Sequence, residues 1–253
     1  MRDVQLIGVP GLPLIETGDD LASVVLDALD RAQLKLEPGD VVIVTSKIVS
    51  KAEGRWVSLD AITPDEEAKR VAEVTGKDAR EIALILSESV RISRMRQGVI
   101  IVENHLGLTG ANAGIDHSNL RADGDWRLLL PKDPDSTARQ IRKALERGGV
   151  SPLGIIISDS MGRPFRMGTV GIAIGVAGLP ALWDLRGSPD LFGEPLQATD
   201  VGFADEIAAA AGLVMGQAAE GVPVVIVRGL TYPPVDSTTA RDLVRPAELD
   251  LYR

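Results

Sequence analysis

Short runs of β-branched and other apolar residues recur along the chain, and between them apolar residues return every three or four positions. The first pattern is typical of strands and the second of amphipathic helices. The runs predict strands over residues 4–9, 41–45, 99–102, 154–157, 170–176 and 224–227. Because Ile155, Ile156 and Ile157 form a continuous β-branched run, we expect their strand to be central and covered on both faces.

Helical spacing predicts helices over residues 21–32, 136–146 and 204–215, the last one rich enough in alanine to lie close against a sheet. The segment TPDEEAKRVAEV predicts a helix that Thr63 caps, with Pro64 in the first turn and Glu66 closing a capping box. Another helix is expected after Gly76. Strands and helices do not alternate regularly, so the pattern favours an α+β fold over a doubly wound parallel sheet.

Composition narrows the classes of function. The chain has 253 residues, of which 45% are hydrophobic, and carries 27 Lys and Arg against 36 Asp and Glu, a net charge of −9. This balance argues against binding to nucleic acid or to an anionic membrane. The absence of Cys excludes disulfides, thiolate metal sites and cysteine nucleophiles, and two His cannot form a zinc site alone. No apolar run approaches membrane-spanning length, and we expect a cytoplasmic protein.

Polar residues follow the strand predicted at 154–157, in the stretch IIISDSMGRPFRMGTVGIAIG. Asp159 and Ser160 are expected at the mouth of this strand, with Arg163 and Arg166 nearby. A carboxylate there suits a metal and the arginines suit an anionic ligand. Taken alone, the stretch fits a surface turn with solvated arginines equally well.

The chain contains neither of the two common nucleotide-binding motifs, G-x-x-x-x-G-K-[ST] and a strand-linked G-x-G-x-x-G. A second candidate for phosphate binding is the stretch VTSKIVSKAEGR. Ser46 and Lys47 follow a predicted strand, and Lys51 comes one helical turn after Lys47. Two ammonium groups on one helix face repel each other unless an anion lies between them. The spacing therefore favours phosphate binding over a solvated basic face.

Two further segments offer oxygen ligands. GANAGIDHSNL places Asn112, Asp116, Ser118 and Asn119 in a glycine-flanked loop, which is either an ordinary turn or a ligand cluster, and His117 is interpreted as a neutral loop residue. GLVMGQAAEGVPVVIVRG places Gln217 and Glu220 in a turn between a helix and a strand, with Met215 interpreted as a packing residue.

Eight segments together resemble one family, the coenzyme F420-0:L-glutamate ligases, also called F420 γ-glutamyl ligases. In order they are GLPLI, GDVVIVTSKIVSKAEGR, NAGIDHSN, LLLPKDPD, SDSMGRPFRMGTVGIAIG, DLFGEPL, ADEIAAAAGLVMG and GVPVVIVRG. The resemblance implies a family-specific fold, an intertwined homodimer and a role in coenzyme F420 biosynthesis. It implies GTP-driven ligation of L-glutamate to the lactyl-phosphate carboxylate of F420-0 through an acyl phosphate, with γ-linked addition to F420-1 as a further expectation.

The resemblance also implies roles for individual residues. Asp116, Asp159 and Lys51 are implied to be catalytic, with Asp116 and Asp159 binding one divalent cation and Ser160 and Gln217 a second. Some members carry Thr and Glu at these last two positions, and the neutral amide of Gln217 is the weaker ligand. The implied nucleotide contacts are Leu12, Pro13, Leu14, Ile15, Ser46, Lys47, Lys51, Asn119, Met215, Gly216, Gln217, Ala218, Ala219, Glu220, Gly221 and Val222. The implied ligands are GTP and Mg²⁺ or Mn²⁺, with K⁺ as an additional candidate.

Two alternatives fit the residues alone. One is a metal- and nucleotide-dependent amide ligase that acts on another phosphorylated carboxylate, and the other is a non-catalytic nucleotide-binding module. Paired carboxylates at two strand ends favour an enzyme over the binding module. Longer relatives carry a flavin-binding reductase domain. For this chain we expect residues 1–253 to form a single ligase domain, undivided or built of two intertwined subdomains, without that reductase.

Overall fold

A computed structural model of the chain describes residues 3–118 and 124–251. The strands in chain order are β1 (Gln5–Gly8), β2 (Val41–Thr45), β3 (Trp56–Ser58), β4 (Ser89–Arg96), β5 (Val99–Asn104), β6 (Thr109–Ala111), β7 (Trp126–Leu128), β8 (Gly154–Gly162), β9 (Thr169–Ala177), β10 (Trp183–Asp184), β11 (Asp200–Val201) and β12 (Val224–Arg228). The α-helices are α1 (Leu21–Arg31), α2 (Ser46–Ala52), α3 (Glu66–Thr75), α4 (Ala79–Ser87), α5 (Pro134–Glu146) and α6 (Phe203–Met215).

The largest sheet has five strands in the order β1-β12-β2-β8-β9. Strands β2 and β8 are parallel, and the other neighbouring pairs in this sheet are antiparallel. Helices α1 and α5 cover one face and α6 covers the other. The molecule is therefore a mixed α+β structure, as the sequence predicts, and its parallel pair lies in the middle of the sheet.

Side chains along the central strands alternate between two cores. The core under α1 and α5 contains Val42, Val44, Ile155, Ile157, Val224 and Ile226, and the core under α6 contains Val41, Ile43, Ile156, Val225 and Val227. A fully buried Val or Ile side chain stabilises the fold by roughly 1.5–3 kcal/mol. The prediction of a central strand at Ile155, Ile156 and Ile157 is confirmed, because all three are fully buried.

Helix α6 lies unusually close to β9, as its alanine content predicts. A Cβ added to Gly171 would come within 2.6 Å of the backbone carbonyl oxygen of Ala208, closer than such atoms approach one another in proteins. Only glycine permits this spacing. Gly171 therefore determines how near α6 lies to the sheet.

A third core lies outside the five-stranded sheet. It contains Leu59, Ala68, Val71, Ile82, Leu84, Ile85, Ile100, Val102, Ala113, Ile115 and Leu129. Helices α3 and α4 cover the sheet β4-β5-β6 there, and the pair β3-β7 lies beside them. The prediction of a helix after Gly76 is confirmed, since Gly76 ends α3 in a left-handed conformation and Asp78 caps α4.

Two details of the sequence prediction are wrong. Helix α3 begins two residues later than proposed: Asp65, not Thr63, is the N-cap, because its carboxylate accepts a hydrogen bond from the Ala68 N–H at 2.8 Å. Strand β8 does not end at Ile157 but continues to Gly162, since residues 158–162 pair with β9. None of the described helices is both long enough and apolar enough to cross a membrane.

Candidate active site

A cavity of about 570 Å³ opens where β2 and β8 stop pairing, at the carboxyl end of β2 and beside the middle of β8. Ligands commonly bind at this end of parallel strands. Its wall is formed by residues 12–15, 45–48, 50–51, 111–112, 114–118, 128–130, 158–160, 215–218 and 220–223 with Gly171, Ala208 and Gly212. The cavity thus brings together four segments that the sequence analysis singled out and most of a fifth. They are residues 12–15, 46–51, 159–160 and 215–222, with most of the loop 112–119.

Asp159 lies inside strand β8, one residue beyond the last pair between β8 and β2. The Ser46 hydroxyl, at the first residue of α2, donates a hydrogen bond of 2.7 Å to Asp159 Oδ1. Burial raises the pKa of Asp159 to about 6, and the hydrogen bond from Ser46 opposes that rise only in part. This carboxylate is therefore desolvated and held rigidly by the sheet.

Asp116 approaches the cavity from a loop. Its backbone exchanges two hydrogen bonds of 2.9 Å with Leu128, which fixes the loop against the end of β7. Its side chain accepts hydrogen bonds from the Ser118 N–H and hydroxyl at 2.7 and 2.8 Å. Burial raises the pKa of Asp116, but the ion pair with Lys47 and the bonds from Ser118 outweigh burial and lower it.

The two lysines lie on helix α2, one turn apart, as the spacing predicts. The anion that the sequence placed between them is in part supplied by the protein itself, because Lys47 Nζ lies 2.7 Å from Asp116 Oδ2. Lys51 Nζ lies 5.9 Å from the centroid of the Trp56 ring. Burial, with the nearby charge of Lys47, lowers the pKa of Lys51. Both cations line the cavity, where an anionic ligand would relieve their mutual repulsion.

The turn after α6 forms the opposite wall. Met215 ends the helix and is buried, which confirms its packing role, and Gly216 follows with a φ of 70°. The Glu220 carboxylate accepts a hydrogen bond from the Ala218 N–H at 2.8 Å, and backbone hydrogen bonds lower its pKa. Gln217 is exposed on this wall. Every residue of the proposed nucleotide segment 215–222 lies on the wall except Ala219.

Some candidates lie elsewhere. Asn119 lies outside the described residues. Arg163 and Arg166 lie in the loop between β8 and β9 and do not line the cavity; the Arg163 guanidinium instead donates to the backbone carbonyl of Met167 at 3.0 Å. His117 is an exposed residue at the rim, in keeping with its interpretation as a loop residue.

The donor set fits a hard divalent cation. Among the described residues, no three His, Cys, Asp or Glu side chains cluster as a complete metal cage. Two carboxylates nevertheless face the same cavity, and the charge of Asp116 adds to the rise in the pKa of Asp159. The hydroxyls of Ser46 and Ser160 add oxygen donors. Mg²⁺ is commonly bound by one or two carboxylates, with water and substrate phosphates completing its shell, so the residues present suit such an ion.

Two parts of the wall lie in segments that carry the family resemblance, LLLPKDPD and SDSMGRPFRMGTVGIAIG, but the sequence analysis assigned them no role in the site. Residues 128–130 line the cavity, and the Leu128 backbone holds Asp116 in place. Ser158 precedes Asp159 and is buried. No local pattern links these residues to the cavity.

Comparison with known proteins gives a consistent result over the whole chain. The family model described as F420-0:γ-glutamyl ligase matches residues 11–229. The coenzyme F420:L-glutamate ligase of Methanothermobacter thermautotrophicus is 47% identical over 251 residues, which cover 99% of both chains. The ligase of the same name from Methanocaldococcus jannaschii is 43% identical over 100% of this chain and 98% of its own length. That from Methanopyrus kandleri is 44% identical over 94% and 93%.

Proposed function

The chain belongs to the F420-0:γ-glutamyl ligase family, and on that premise we propose that it joins L-glutamate to coenzyme F420-0 with GTP as the energy source. The observation that supports this function best is the meeting of Asp116, Asp159, Lys47 and Lys51 around one cavity. Two carboxylates suit a divalent cation and two ammonium groups suit phosphates. Together they form the environment that phosphoryl transfer to a carboxylate requires.

The proposed reaction has two steps. First, a carboxylate oxygen of F420-0 attacks the γ-phosphorus of GTP, the bond to the β-phosphate oxygen breaks, and GDP leaves. Second, the glutamate amine attacks the acyl carbon, phosphate leaves, and the amine loses a proton. Lys47 and Lys51 stabilise the negative charge on the phosphate oxygens in both steps. No protein nucleophile takes part, in keeping with a chain that contains no Cys.

Asp116 and Asp159 are the residues that we propose to hold a divalent cation, Mg²⁺ or Mn²⁺, with Ser160 and Gln217 contributing to a second site and K⁺ as an additional candidate. When bound, the ion offsets charge that develops on the transferred phosphoryl group. Ser46 orients Asp159 for this purpose through its 2.7 Å hydrogen bond. We also propose that γ-linked addition to F420-1 uses the same cavity.

We propose that the chain acts as a homodimer. Phe165, Met167, Leu191 and Phe192 expose between 89% and 95% of their surface, on two segments that follow the strand of Asp159. Exposed apolar side chains in such numbers are typical of surfaces that a partner covers. Light scattering at micromolar concentration should give the mass of two chains, and the mass of one chain would contradict the proposal.

The reaction itself is tested by incubating the protein with F420-0, L-glutamate, GTP and Mn²⁺ and measuring the products by mass spectrometry. The expected products are glutamylated F420 with one GDP and one phosphate for each glutamate added. Replacing GTP with ATP, and omitting F420-0, provides the controls. If GTP is consumed with other carboxylic acids but not with F420-0, the protein is an amide ligase that acts on a different substrate. If a nucleotide binds but no turnover follows, the protein is a binding module.

A further inference from the structure

We infer that Asn112 is a substrate-binding residue that holds the α-amino and α-carboxylate groups of the incoming amino acid. Asn112 lies on the cavity wall, four residues before Asp116. Its side-chain amide makes no hydrogen bond to any residue in the described part of the chain. The inference rests on the proposed function, because it names the residue that recognises one of the three substrates.

The backbone around Asn112 is unusual. Asn112 and Ala113 have φ angles of 53° and 57°, and Gly114 follows with 76°, so three successive residues are left-handed. Left-handed conformations are uncommon for residues other than glycine and cost free energy, and Ala113 lacks the polar side chain that makes Asn more tolerant. Strained backbone of this kind occurs preferentially at functional sites.

Neighbouring contacts hold this turn in place. The Ile115 N–H donates to the Asn112 carbonyl at 3.0 Å, and the buried Asn104 amide donates to the Ala113 carbonyl at 3.4 Å. Gly114 lies tightly against Leu130, where an added Cβ would meet the side chain at 2.7 Å. The surroundings therefore fix the backbone of Asn112 while its amide remains available to a ligand.

The chemistry of the amide is complementary to that of an α-amino acid. One Asn side chain offers a hydrogen-bond donor and an acceptor side by side. An α-amino acid presents the complement, an acceptor carboxylate beside a donor amine. The carboxylate and phosphate groups of F420-0 and of a nucleotide offer acceptors alone, which Lys47 and Lys51 match better. The Asn amide does not ionise near neutral pH, so it can orient the amine without changing the amine's protonation state.

Two substitutions separate this role from a structural one. Asn112→Gly removes the amide and accepts a positive φ readily, so the fold should keep its melting temperature. Asn112→Asp keeps the size and the tolerance of a left-handed backbone but loses the donor and adds a charge that repels the carboxylate. With saturating GTP and F420-0, both variants should raise the KM for L-glutamate about ten- to a hundredfold, as expected for loss of a hydrogen bond to a charged group. The KM values for GTP and F420-0 should change less than about twofold.

Gln33→Gly is the matched control. Gln33 is also a left-handed residue with a φ of 53°, but it is exposed and does not line the cavity. This variant should leave all three KM values unchanged, and an equal rise in the KM for glutamate would overturn the inference.

The remaining outcomes are also decisive. If the wild-type protein forms no glutamylated product, the proposed function fails. If it does, and the KM for glutamate of both Asn112 variants stays near wild type, the inference alone fails. A rise in the KM for F420-0 or GTP instead would assign Asn112 to that substrate and overturn its role with the amino acid. If Asn112→Gly melts well below wild type, Asn112→Asp decides, because it changes the recognition chemistry without changing the backbone preference.

Discussion

The two carboxylates of the cavity are held in different ways. Asp159 belongs to strand β8, receives one side-chain hydrogen bond from Ser46, and has a pKa raised to about 6 by burial. Asp116 belongs to a loop, pairs with Lys47 at 2.7 Å, and has a lowered pKa. The sheet places Asp159 with little compensation of its charge, whereas Asp116 lies in a loop that the Leu128 backbone holds, and its charge is compensated by Lys47. One site thus joins a rigid, desolvated carboxylate to a compensated one.

The sharpest test of this difference is to neutralise each carboxylate. Asp159→Asn and Asp116→Asn should each reduce ligation roughly a thousandfold or more, because each removes an anionic ligand of the proposed cation. Without divalent cations, their stabilities should diverge. Asp116→Asn should lower the free energy of unfolding by about 0.5–1 kcal/mol, since it leaves Lys47 without its anion. Asp159→Asn should leave that free energy unchanged or raise it. Equal losses of stability would show that the two carboxylates are held alike.

The lysines provide the next test. Lys47→Ala and Lys51→Ala should each weaken GTP binding about ten- to a hundredfold and guanosine binding much less, because only the phosphates use the ammonium groups. Lys47→Ala should also lower the melting temperature, since Asp116 loses its partner. Lys51→Ala should lower it less, because it removes a partly buried charge that is repelled by Lys47. Lys69→Ala, at an exposed pair with Glu66, is the control. Unchanged GTP affinity in both variants would remove these lysines from the site.

The close packing of helix α6 against strand β9 can be tested at Gly171. Gly171→Ala should reduce the free energy of unfolding by about 1–3 kcal/mol, because the added methyl group meets the Ala208 carbonyl. Gly162→Ala is the control in the paired strand, since nothing lies within 4 Å of a Cβ added there. Denaturant titration measures both. A Gly171→Ala protein as stable as the Gly162→Ala protein would show that α6 can move away from the sheet.

The smallest expected effect concerns pH. The Asp205 carboxylate on α6 accepts a hydrogen bond of 2.8 Å from the Ala173 N–H of β9, and burial raises its pKa above 3.8. The folded state therefore favours the neutral form, and this group's contribution to stability is lost as pH rises through the folded pKa. Relative to wild type, Asp205→Asn should gain stability between about pH 4 and about pH 7. Asp184→Asn is the control, because Arg186 lowers the pKa of Asp184 to about 2, so its difference from wild type should stay nearly constant above about pH 4 and change only below it. A constant difference across this range would contradict the assignment for Asp205.

The strands of the central sheet were predicted well from the sequence, because a continuous apolar run indicates a strand that is buried on both faces. It predicted the segments of the cavity because their residue types and order resemble those of one family. It did not predict the extension of β8, since SDSMG is rich in turn-forming residues and only pairing with β9 makes it a strand. Strand β4 was also not predicted, because its sequence SVRISRMR is rich in Arg and has too few apolar residues to show a clear period of two.

The hydrogen-bond partners within the site could not be predicted from the sequence, for another reason. Lys47 and Ser118 are 71 residues apart and Ser46 and Asp159 are 113 apart, and no local pattern encodes such contacts. The N-cap of α3 shows the same limit at short range. Thr63 and Asp65 are both good caps, and the contact that Asp65 makes with the Ala68 N–H distinguishes them only in three dimensions.

The separation between Ser46 and Asp159 has a consequence for how the molecule folds. Closing a loop of 113 residues costs more chain entropy than any local contact, and structures with many long-range contacts fold slowly. The third core lies wholly inside that loop, because all its buried members fall between Leu59 and Leu129. On the ribosome it can therefore form before β8 has been synthesised, whereas the candidate active-site cavity is completed only after β8 has joined β2 and the turn after α6 has formed the opposite wall.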